Sequence, residues 1–451
     1  MHRVSVLFGV ASLVIFAGCR LPHETATLPF FPIGIYAVPS TNDFRIIKEA
    51  GFNLVAGRAE RSYLDAADGA GLGVLASPYT SAGPDFNAAA ARQAVKDWDR
   101  HPALWAWYLV DEPDLNVVPP AQVIEAQRCV KAAGARKPTA LVLFQGYEAL
   151  HFANLADITM IDRYPIPWLP LANFGQHVTL ARLAVAKDKP LIAVIQAFDW
   201  SYVPELLPGE QNLRPPTGAE LRCMTYEALA RGANGLFYYA FDDGRWRMRE
   251  HPETWAALQS VVREVNDRLP LFQAEPVWWP KRHAFGDRTR RFNAALESSI
   301  TSCLLRVRAG NATIPAGDYV LAVNNTEWTQ TYSFNLPPQN ETMGEKRGKT
   351  DGEGRRERGE KWEGTSNTRA SAFNTQPRQT GRLKETKAGI LKAQSSEGEA
   401  TERRPASEVQ TGVPVLGEHR SLLPRDNRLT DEFGPYAVHV YGPLLHHAGE
   451  P

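Results

Sequence analysis

Eight short apolar segments alternate with eight helix-like segments between residues 30 and 269, and this repetition limits the folds open to the chain more than any other feature. The apolar segments span residues 30–38, 52–56, 73–77, 104–110, 140–144, 157–162, 191–197 and 235–241. Nearly unbroken apolar strands are typical of a parallel sheet whose faces are covered by helices. Eight strand–helix units in a stretch of this length predict a (β/α)₈ TIM barrel, assigned to residues 28–272.

The pattern changes from about residue 275. Short strand-like runs separated by turn residues, among them TSCLLRVRA and DYVLAVNN, predict a C-terminal antiparallel β-sandwich built from residues 273–340 and 431–446. The intervening tract is rich in Gly, Glu, Arg, Lys, Thr and Ser and has almost no aromatic residues. Such a composition buries too little apolar surface to order itself, so residues 341–430 are predicted to be a disordered insertion.

The first nineteen residues have the pattern of a signal peptide. Arg3 precedes an apolar run at residues 4–16, which is followed by Ala17, Gly18 and Cys19. Cys19 in this setting resembles the cysteine of a bacterial lipobox, and the resemblance implies that Cys19 is lipidated after cleavage. We therefore expect an extracytoplasmic protein that is anchored by lipid to a bacterial membrane, with simple secretion as the alternative.

Charge and motif patterns argue against several classes of function. Lys plus Arg and Asp plus Glu number 50 each, so the formal net charge is zero and no nucleic-acid partner is expected. The chain has no dinucleotide fingerprint, no P-loop and no GxSxG elbow, and its histidines lack the spacing of a zinc site. No cofactor and no metal site are predicted, although a Ca²⁺ or Mg²⁺ ion held by carboxylates stays open. The cysteines beyond Cys19 are far apart and are expected to be buried free thiols.

Acidic residues directly follow the carboxyl end of the fourth apolar segment. The sequence LWAWYLV is followed at once by Asp111, Glu112, Pro113 and Asp114. Pro113 cannot continue the strand, so these carboxylates are predicted to lie on the first turn of a loop. In a barrel this face carries the active site. The alternative is that Asp-Glu-Pro-Asp only caps the next helix.

The other strand ends supply polar and aromatic residues to the same face. The candidate substrate-binding residues are Tyr36, Tyr79, Asp111, Gln145, Tyr164, Gln196, Trp200, Tyr239 and Trp246. Carboxylates and amides match the hydroxyl groups of a sugar, and indole rings stack on its C–H faces. A phosphate site would instead need more Lys, Gly and helix N-termini. The predicted partner is therefore a carbohydrate.

Four of these strand ends together resemble a known family. WAWYLVDEPD, MIDRYP, PLIAVIQAFDW and GANGLFYYAFDD, followed by a β-sandwich, are similar to the clan A type of glycoside hydrolase barrel and its bacterial relatives. The resemblance implies that Glu112 is the acid/base residue at the end of strand four. It also places Gln196 where the family has its nucleophilic glutamate, and an amide cannot serve as that nucleophile.

A glycosidase generally needs a second carboxyl group, ~5–5.5 Å from the first for retention or ~6.5–9.5 Å for inversion. We favour Asp162, then Asp242, with Asp199 behind them. Asp162 could instead form an ion pair with a nearby arginine, and Asp242 could be a turn or cap residue. Tyr164 and Gln196 could belong to a satisfied buried polar network.

The leading hypothesis from the sequence is a glycosidase that hydrolyses a poly- or oligosaccharide, with Glu112, Asp162 and Asp242 as candidate catalytic residues. Trp105, Trp107 and Asp111 are expected to raise the pKa of Glu112 through burial and like charge. The second hypothesis, motivated by Gln196, is a carbohydrate-binding lipoprotein on a barrel that has lost its nucleophile. A third is a surface scaffold with neither binding nor turnover.

Overall fold

A computed structural model describes residues 30–277, 299–336 and 412–444. The predicted signal peptide, Cys19 and residues 341–411 of the predicted insertion lie outside the described residues. None of the described helices is long and apolar enough to cross a membrane.

Eight parallel strands form a closed barrel in which each strand pairs with the next and the eighth pairs with the first. The strands are β1 (Ile33–Ile35), β2 (Leu54–Gly57), β3 (Gly73–Ala76), β4 (Leu104–Val110), β5 (Thr139–Leu143), β6 (Ile158–Asp162), β7 (Leu191–Gln196) and β8 (Gly235–Tyr239). Each strand falls within or overlaps its predicted segment, and the predicted TIM barrel is confirmed.

Helices follow the strands in the alternation that the sequence predicted. They are α1 (Phe44–Glu49), α2 (Arg61–Gly69), α3 (Ala88–Trp98), α4 (Pro120–Ala132), α5 (Ala149–Phe152), α6 (Ala172–Ala184), α7 (Gly218–Ala230), α8 (Pro252–Asp267) and the short α9 (Leu269–Phe272). Local signals set several of their ends. The side chain of Asn87 accepts hydrogen bonds from the first backbone amides of α3, and Thr217 with Glu220 forms a capping box on α7.

The barrel interior is filled by side chains that alternate along the strands. Leu54, Leu75, Val142, Met160, Ile192, Val194 and Phe237 belong to one buried cluster. The Phe237 ring occupies the space beside β1, since a Cβ at Gly34 would lie 2.3 Å from it. This filled interior leaves the carboxyl ends of the strands as the place where a ligand cavity can open.

The C-terminal region forms two antiparallel sheets. Its strands are β9 (Glu275–Val277), β10 (Ile300–Val307), β11 (Gly317–Asn324), β12 (Gln330–Asn335), β13 (Val413–Val415), β14 (Arg420–Leu422), β15 (Arg428–Phe433) and β16 (Val438–Leu444). Six strands pair in the order β14-β13-β16-β11-β10-β9, and β12 pairs with β15. Phe334 and Phe433 of the small sheet pack with Tyr441 of the large one, as in the predicted β-sandwich.

The predicted insertion is too long at its C-terminal end. Residues 412–430 were assigned to disorder, but they form β13, β14 and the start of β15. These strands are short and rich in polar residues, and they are ordered by pairing with each other and with strands distant in sequence. Such long-range pairing leaves little local signal in the sequence.

Buried polar contacts join the barrel to the large sheet. Glu227 and Arg231 of α7 form an ion pair with a nitrogen–oxygen distance of 2.6 Å. Thr301 of β10 donates to Glu227 at 2.8 Å and accepts from Arg231 at 2.8 Å. The thiol of Cys223 donates to the carbonyl oxygen of Asn324. The thiols of Cys223 and Cys303 are free and buried, as expected, whereas Cys129 is free and only partly buried.

Candidate active site

A cavity of about 400 Å³ opens at the carboxyl ends of the barrel strands. Its lining combines four carboxyl groups with aromatic and aliphatic side chains. The lining residues are Tyr36, Asp111, Glu112, Leu115, Phe144, Asp162, Tyr164, Trp168, Phe198, Trp200, Val203, Leu206, Leu207, Tyr239 and Asp243. Of the twelve predicted site residues, Tyr36, Asp111, Glu112, Asp162, Tyr164, Trp200 and Tyr239 are brought together here.

The turn after β4 holds Glu112 in an unusual backbone conformation. Its φ is +41°, in the left-handed region that non-glycine residues seldom adopt. The Glu112 carbonyl accepts hydrogen bonds from the amides of Leu115 and Asn116, at 3.0 and 2.8 Å. Asp114 then accepts from the amides of Phe144 and Gln145 after β5, at 3.1 and 2.7 Å. The loop is thus tied to the next strand, and Asp114 has a structural role.

Glu112 has a strongly perturbed acidity. Burial raises its pKa most, the like charge of Asp111 raises it further, and the pKa reaches about 7. A hydrogen bond with the carboxyl group of Asp162 acts in the opposite direction. At neutral pH a substantial fraction of Glu112 therefore carries a proton, as a general acid requires.

Asp162 ends β6 and lies beside Glu112. Its side chain is buried, and Oδ2 accepts a hydrogen bond from the Tyr164 hydroxyl at 3.0 Å. Burial, followed by the charges of Glu112 and Asp111, raises its pKa well above the ordinary range. The alternative ion pair with an arginine is not formed by the neighbouring Arg163, whose Nε donates to Asn173. Asp162 and Glu112 are instead close enough for each carboxyl group to affect the pKa of the other.

Tyrosines surround the carboxyl group of Asp111. The Tyr108 hydroxyl donates a hydrogen bond to Asp111 Oδ1. Desolvation raises the pKa of Asp111. Desolvation, followed by the charge of Asp111, raises the pKa of Tyr36. These hydroxyl groups keep their protons and can act only as neutral hydrogen-bonding groups at neutral pH.

Two neighbouring aspartates after β8 have different roles. Asp242 does not line the cavity: its Oδ1 accepts from the amide of Gly244 at 3.0 Å, and it lies 3.9 Å from Arg247. Asp242 therefore lies apart from the carboxyl groups of the cavity, and its position does not support the predicted catalytic role. Asp243 lines the cavity and accepts from the Tyr239 hydroxyl at 3.1 Å. It also accepts from the amides of Arg245 and Trp246.

Gln196 is fully buried and does not line the cavity. Its Oε1 accepts from the amide of Ile166 at 2.8 Å, and its Nε2 donates to the carbonyls of Ile166 and Phe198. The assignment of Gln196 to substrate binding is replaced by the buried polar network that was its alternative. Asp199 likewise caps a 3₁₀ helix by accepting from the amide of Ser201.

Three further predicted residues lie outside the cavity lining. Trp246 is fully buried, and its ring stacks on His251 at 4.0 Å. Tyr79 is 46% exposed and contacts Trp98. Gln145 contributes a backbone amide to Asp114. Their assignment to substrate binding is not supported by where their side chains lie.

Sequence reasoning missed several lining residues on loops. Trp168 follows β6, and Phe198, Val203, Leu206 and Leu207 follow β7. The only sequence signal was the density of aromatic and aliphatic residues in YPIPWLP and AFDWSYVPELL after two strands. Within the described residues no group of three His, Cys, Asp or Glu side chains is arranged to hold a metal ion.

Comparisons with known proteins return similarities of fold only. No protein-family model matches the chain. No curated protein matches it either. Among solved structures, a glycoside hydrolase family 5 protein from Bacteroides vulgatus has a TM-score of 0.47 at 14% identity, with 68% of this chain and 79% of that chain covered. The β-galactosidase of the psychrophilic Marinomonas ef1 has a TM-score of 0.39 at 13% identity, with 52% of this chain covered.

The chain covers only 60% of the Marinomonas β-galactosidase and 58% of a cold-adapted one from Rahnella sp. R3. Glycoside hydrolases are thus among the structures that resemble this chain, as the sequence motifs led us to expect. At these identities and TM-scores the likeness adds nothing to the chemistry, and the functional conclusion rests on the side chains of the cavity.

Proposed function

We propose that this protein is a glycoside hydrolase in which Glu112 is the general acid. The observation that carries the proposal is the position of Glu112 at a barrel strand end, inside a cavity lined by tyrosine and tryptophan, where burial and the charge of Asp111 raise its pKa to about 7. Cleavage of a glycosidic bond requires a proton on the leaving oxygen, and a carboxyl group that stays protonated near neutral pH supplies it. The aromatic rings provide surfaces for the C–H faces of a sugar.

Asp162 acts on Glu112 in this proposal. Burial and the charge of Glu112 raise the pKa of Asp162 well above its ordinary range, so Asp162 is protonated at neutral pH and does not suit the role of the second, ionised carboxylate. Its interaction with Glu112 raises the pKa of Asp162 and lowers that of Glu112, so Asp162 keeps its own proton and suits the task of orienting the Glu112 carboxyl group, while the Tyr164 hydroxyl donates to Asp162. We infer a positioning role for Asp162 in place of the partner role expected from the sequence.

Asp243 is the better candidate for the second carboxylate. In an eight-stranded barrel β8 lies opposite β4, so Asp243 and Glu112 reach the cavity from opposite sides. Three hydrogen bonds, from Tyr239 and two backbone amides, fix the Asp243 carboxylate in place. A carboxylate in that position can stabilise positive charge on the sugar or activate a water molecule.

The test is hydrolysis of a panel of aryl glycosides and oligosaccharides by the purified full chain and by the Glu112→Gln variant. We expect turnover in the wild type and a loss of at least about 1000-fold in Glu112→Gln, with unchanged folding by circular dichroism. Glu125→Gln, at an exposed position on α4, is the matched control and should retain full activity. Equal turnover in the wild type and Glu112→Gln would refute the proposed role of Glu112.

A carbohydrate-binding protein without hydrolysis is the second candidate. The observation that favours it is Gln196, which stands at the end of β7 and binds backbone rather than facing the cavity. The same panel separates the two: sugar affinity measured by calorimetry, without turnover of any glycoside, would support the binding protein.

We also propose that the protein works outside the cytoplasm, anchored through lipid on Cys19. The support is the run of apolar residues before Ala17, Gly18 and Cys19. Metabolic labelling with a radioactive fatty acid should mark the wild type and leave Cys19→Ala unlabelled. Equal labelling of both would remove the basis for this anchor.

A further inference from the structure

The mouth of the cavity is lined by aliphatic side chains from two loops. Leu115 comes from the turn after β4, and Val203, Leu206 and Leu207 come from the loop after β7. Leu115 is 51% exposed and Leu206 is 63% exposed, so apolar surface faces solvent at the entrance. Aliphatic side chains offer a sugar neither hydrogen bonds nor a π face, and they interact best with other apolar groups.

The indole N–H groups on the same wall already donate hydrogen bonds within the protein. The Nε1 of Trp168 donates to the carbonyl oxygen of Tyr164 at 3.0 Å, and that of Trp200 donates to the same oxygen at 3.3 Å. Both rings can therefore give a ligand only apolar contact. Phe144 and Phe198 add rings without polar atoms.

The polar groups of the cavity lie on a different side. Asp111 and Glu112 follow β4, Asp162 ends β6, and Tyr239 ends β8, so these groups line the floor at the strand ends. The wall formed by the loop after β7 contributes Phe198, Trp200, Val203, Leu206 and Leu207. The cavity thus has a polar floor and an apolar mouth.

Glu112 connects the two regions. Leu115 lies one turn beyond Glu112, and its amide donates to the Glu112 carbonyl at 3.0 Å. A general acid contacts the oxygen of the leaving group, so the group that departs lies beside Glu112, on the side of the cavity that Leu115 also lines. The leaving group is therefore placed towards the apolar mouth.

We propose that the substrate is a glycoside whose leaving group is an alkyl or aryl chain and not a second sugar. The proposal rests on the proposed hydrolase function, and it assigns the sugar ring to the floor and the apolar aglycone to Leu115, Leu206 and the loop after β7. Protonation of the glycosidic oxygen by Glu112 then releases an alcohol or a phenol while water adds to the sugar, so the hydrolysis balances.

The test compares ligands that share a sugar and differ in the aglycone. Binding of methyl, hexyl and phenyl β-D-glycosides and of the matching disaccharides is measured by calorimetry on the full-length Glu112→Gln variant, in a sugar-free detergent. Glucosides, galactosides and mannosides form the panel. Each buried CH₂ group should tighten binding about fourfold, so the hexyl glycoside is expected to bind at least about tenfold more tightly than the methyl glycoside.

Variants at the cavity mouth test whether Leu115 and Leu206 cause the tighter binding of the hexyl glycoside. The double variant with Leu115→Asn and Leu206→Asn should bind the hexyl glycoside at least about fivefold more weakly. Its affinity for the methyl glycoside should be unchanged. Both positions are exposed, so folding should be preserved. Leu183→Asn on α6 is the matched control, because Leu183 is 64% exposed and does not line the cavity.

Several outcomes would overturn the inference: equal affinity for methyl and hexyl glycosides, a disaccharide that binds more tightly than the hexyl glycoside, an unchanged hexyl preference in the double variant, or hexan-1-ol alone binding as well as the glycoside. Turnover separates this inference from the proposed function. Tight hexyl binding that depends on Leu115 and Leu206, without hydrolysis by the wild type, would support the apolar subsite and refute the hydrolase.

Discussion

Gln196 pairs with both backbone polar groups of Ile166, accepting from the amide at 2.8 Å and donating to the carbonyl at 2.7 Å. The same Nε2 donates to the carbonyl of Phe198 at 3.2 Å. This amide therefore holds the loops after β6 and β7 together beneath the aromatic wall of the cavity. The sequence resemblance places Gln196 at the position of a nucleophilic glutamate, and these backbone contacts explain why an amide stands there.

We predict that Gln196→Glu destabilises the protein and does not create a nucleophile. An ionised carboxylate would place a negative oxygen against the carbonyl oxygens of Ile166 and Phe198, which it cannot hydrogen-bond. This buried repulsion should lower the free energy of unfolding by about 2–4 kcal/mol. A protonated glutamate can still donate to a carbonyl, so the loss should be larger at pH 8 than at pH 5. Thermal unfolding at the two pH values measures the difference.

Gln211→Glu is the control for this substitution, because Gln211 is exposed in the loop between β7 and α7. It should change the melting temperature little at either pH. A Gln196→Glu protein as stable as the wild type at pH 8 would show that the Ile166 pairing contributes little to the fold.

The acidity of Glu112 predicts the pH dependence of activity. The general acid works only when protonated, so activity should fall as pH rises through a pKa of about 7. Asp111→Asn removes the neighbouring negative charge, which lowers the pKa of Glu112 and should move this limb of the profile about one pH unit lower. The measurement is the pH at which kcat/KM falls to half of its maximum. This pH can be compared between variants even where their maximal kcat/KM differs.

Asp85→Asn supplies the comparison for the pH profile, since Asp85 is exposed and outside the cavity lining. Its limb should coincide with that of the wild type. If the limb also stays in place in Asp111→Asn, the charge of Asp111 is not what raises the pKa of Glu112.

The same pKa predicts an effect on stability. Folding raises the pKa of Glu112 from its ordinary value of 4.5 to about 7, so the native state binds this proton more tightly than the unfolded chain. The stability from this group is fully present below pH 4.5 and is lost as pH rises through 7. Glu112→Gln should therefore be more stable than the wild type at pH 8, by up to about 3 kcal/mol, and equally stable at pH 4.

Unfolding by urea at pH 4 and pH 8 tests this prediction, with Glu125→Gln as the exposed control. An equal midpoint for the wild type and Glu112→Gln at pH 8 would contradict the raised pKa. A Glu112→Gln variant more stable than the wild type at pH 8 would show that the raised pKa of Glu112 lowers the free energy of unfolding of the wild type. This is expected for a carboxyl group whose pKa is raised by burial.

The barrel and the acid at its fourth strand could be predicted from sequence for a simple reason. Strand burial on both faces leaves an unbroken apolar run, and Pro113 marks where the run stops, so Glu112 is placed by local pattern alone. Asp162 was found in the same way, as the first acid after a buried strand. Both signals depend on residues that are adjacent in the chain.

The sequence could not place residues whose side-chain direction depends on turn geometry or on distant partners. Asp242 and Asp243 are neighbours with identical chemistry, and only the turn after β8 decides that Asp243 contacts Tyr239 inside the cavity. Trp246 was expected to bind substrate, but it is buried against His251. For Leu206 and Leu207 the only local signal is the run of aromatic and aliphatic residues after β7, which does not show which of them line the cavity.

The ion pair between Glu227 and Arg231 leads to a last prediction, on the junction of barrel and sheet. Both side chains are almost fully buried, with 0% and 4% exposed. Arg231→Met leaves Glu227 without its cation, so the free energy of unfolding should fall by about 3–5 kcal/mol. Glu227→Gln combined with Arg231→Met removes both charges and should recover part of that loss. Arg45→Met breaks the exposed pair with Glu49 and should cost no more than about 1 kcal/mol. The measurement is the urea midpoint of unfolding of the wild type and the three variants. An Arg231→Met midpoint equal to that of Arg45→Met would show that the buried pair contributes no more to stability than the exposed one.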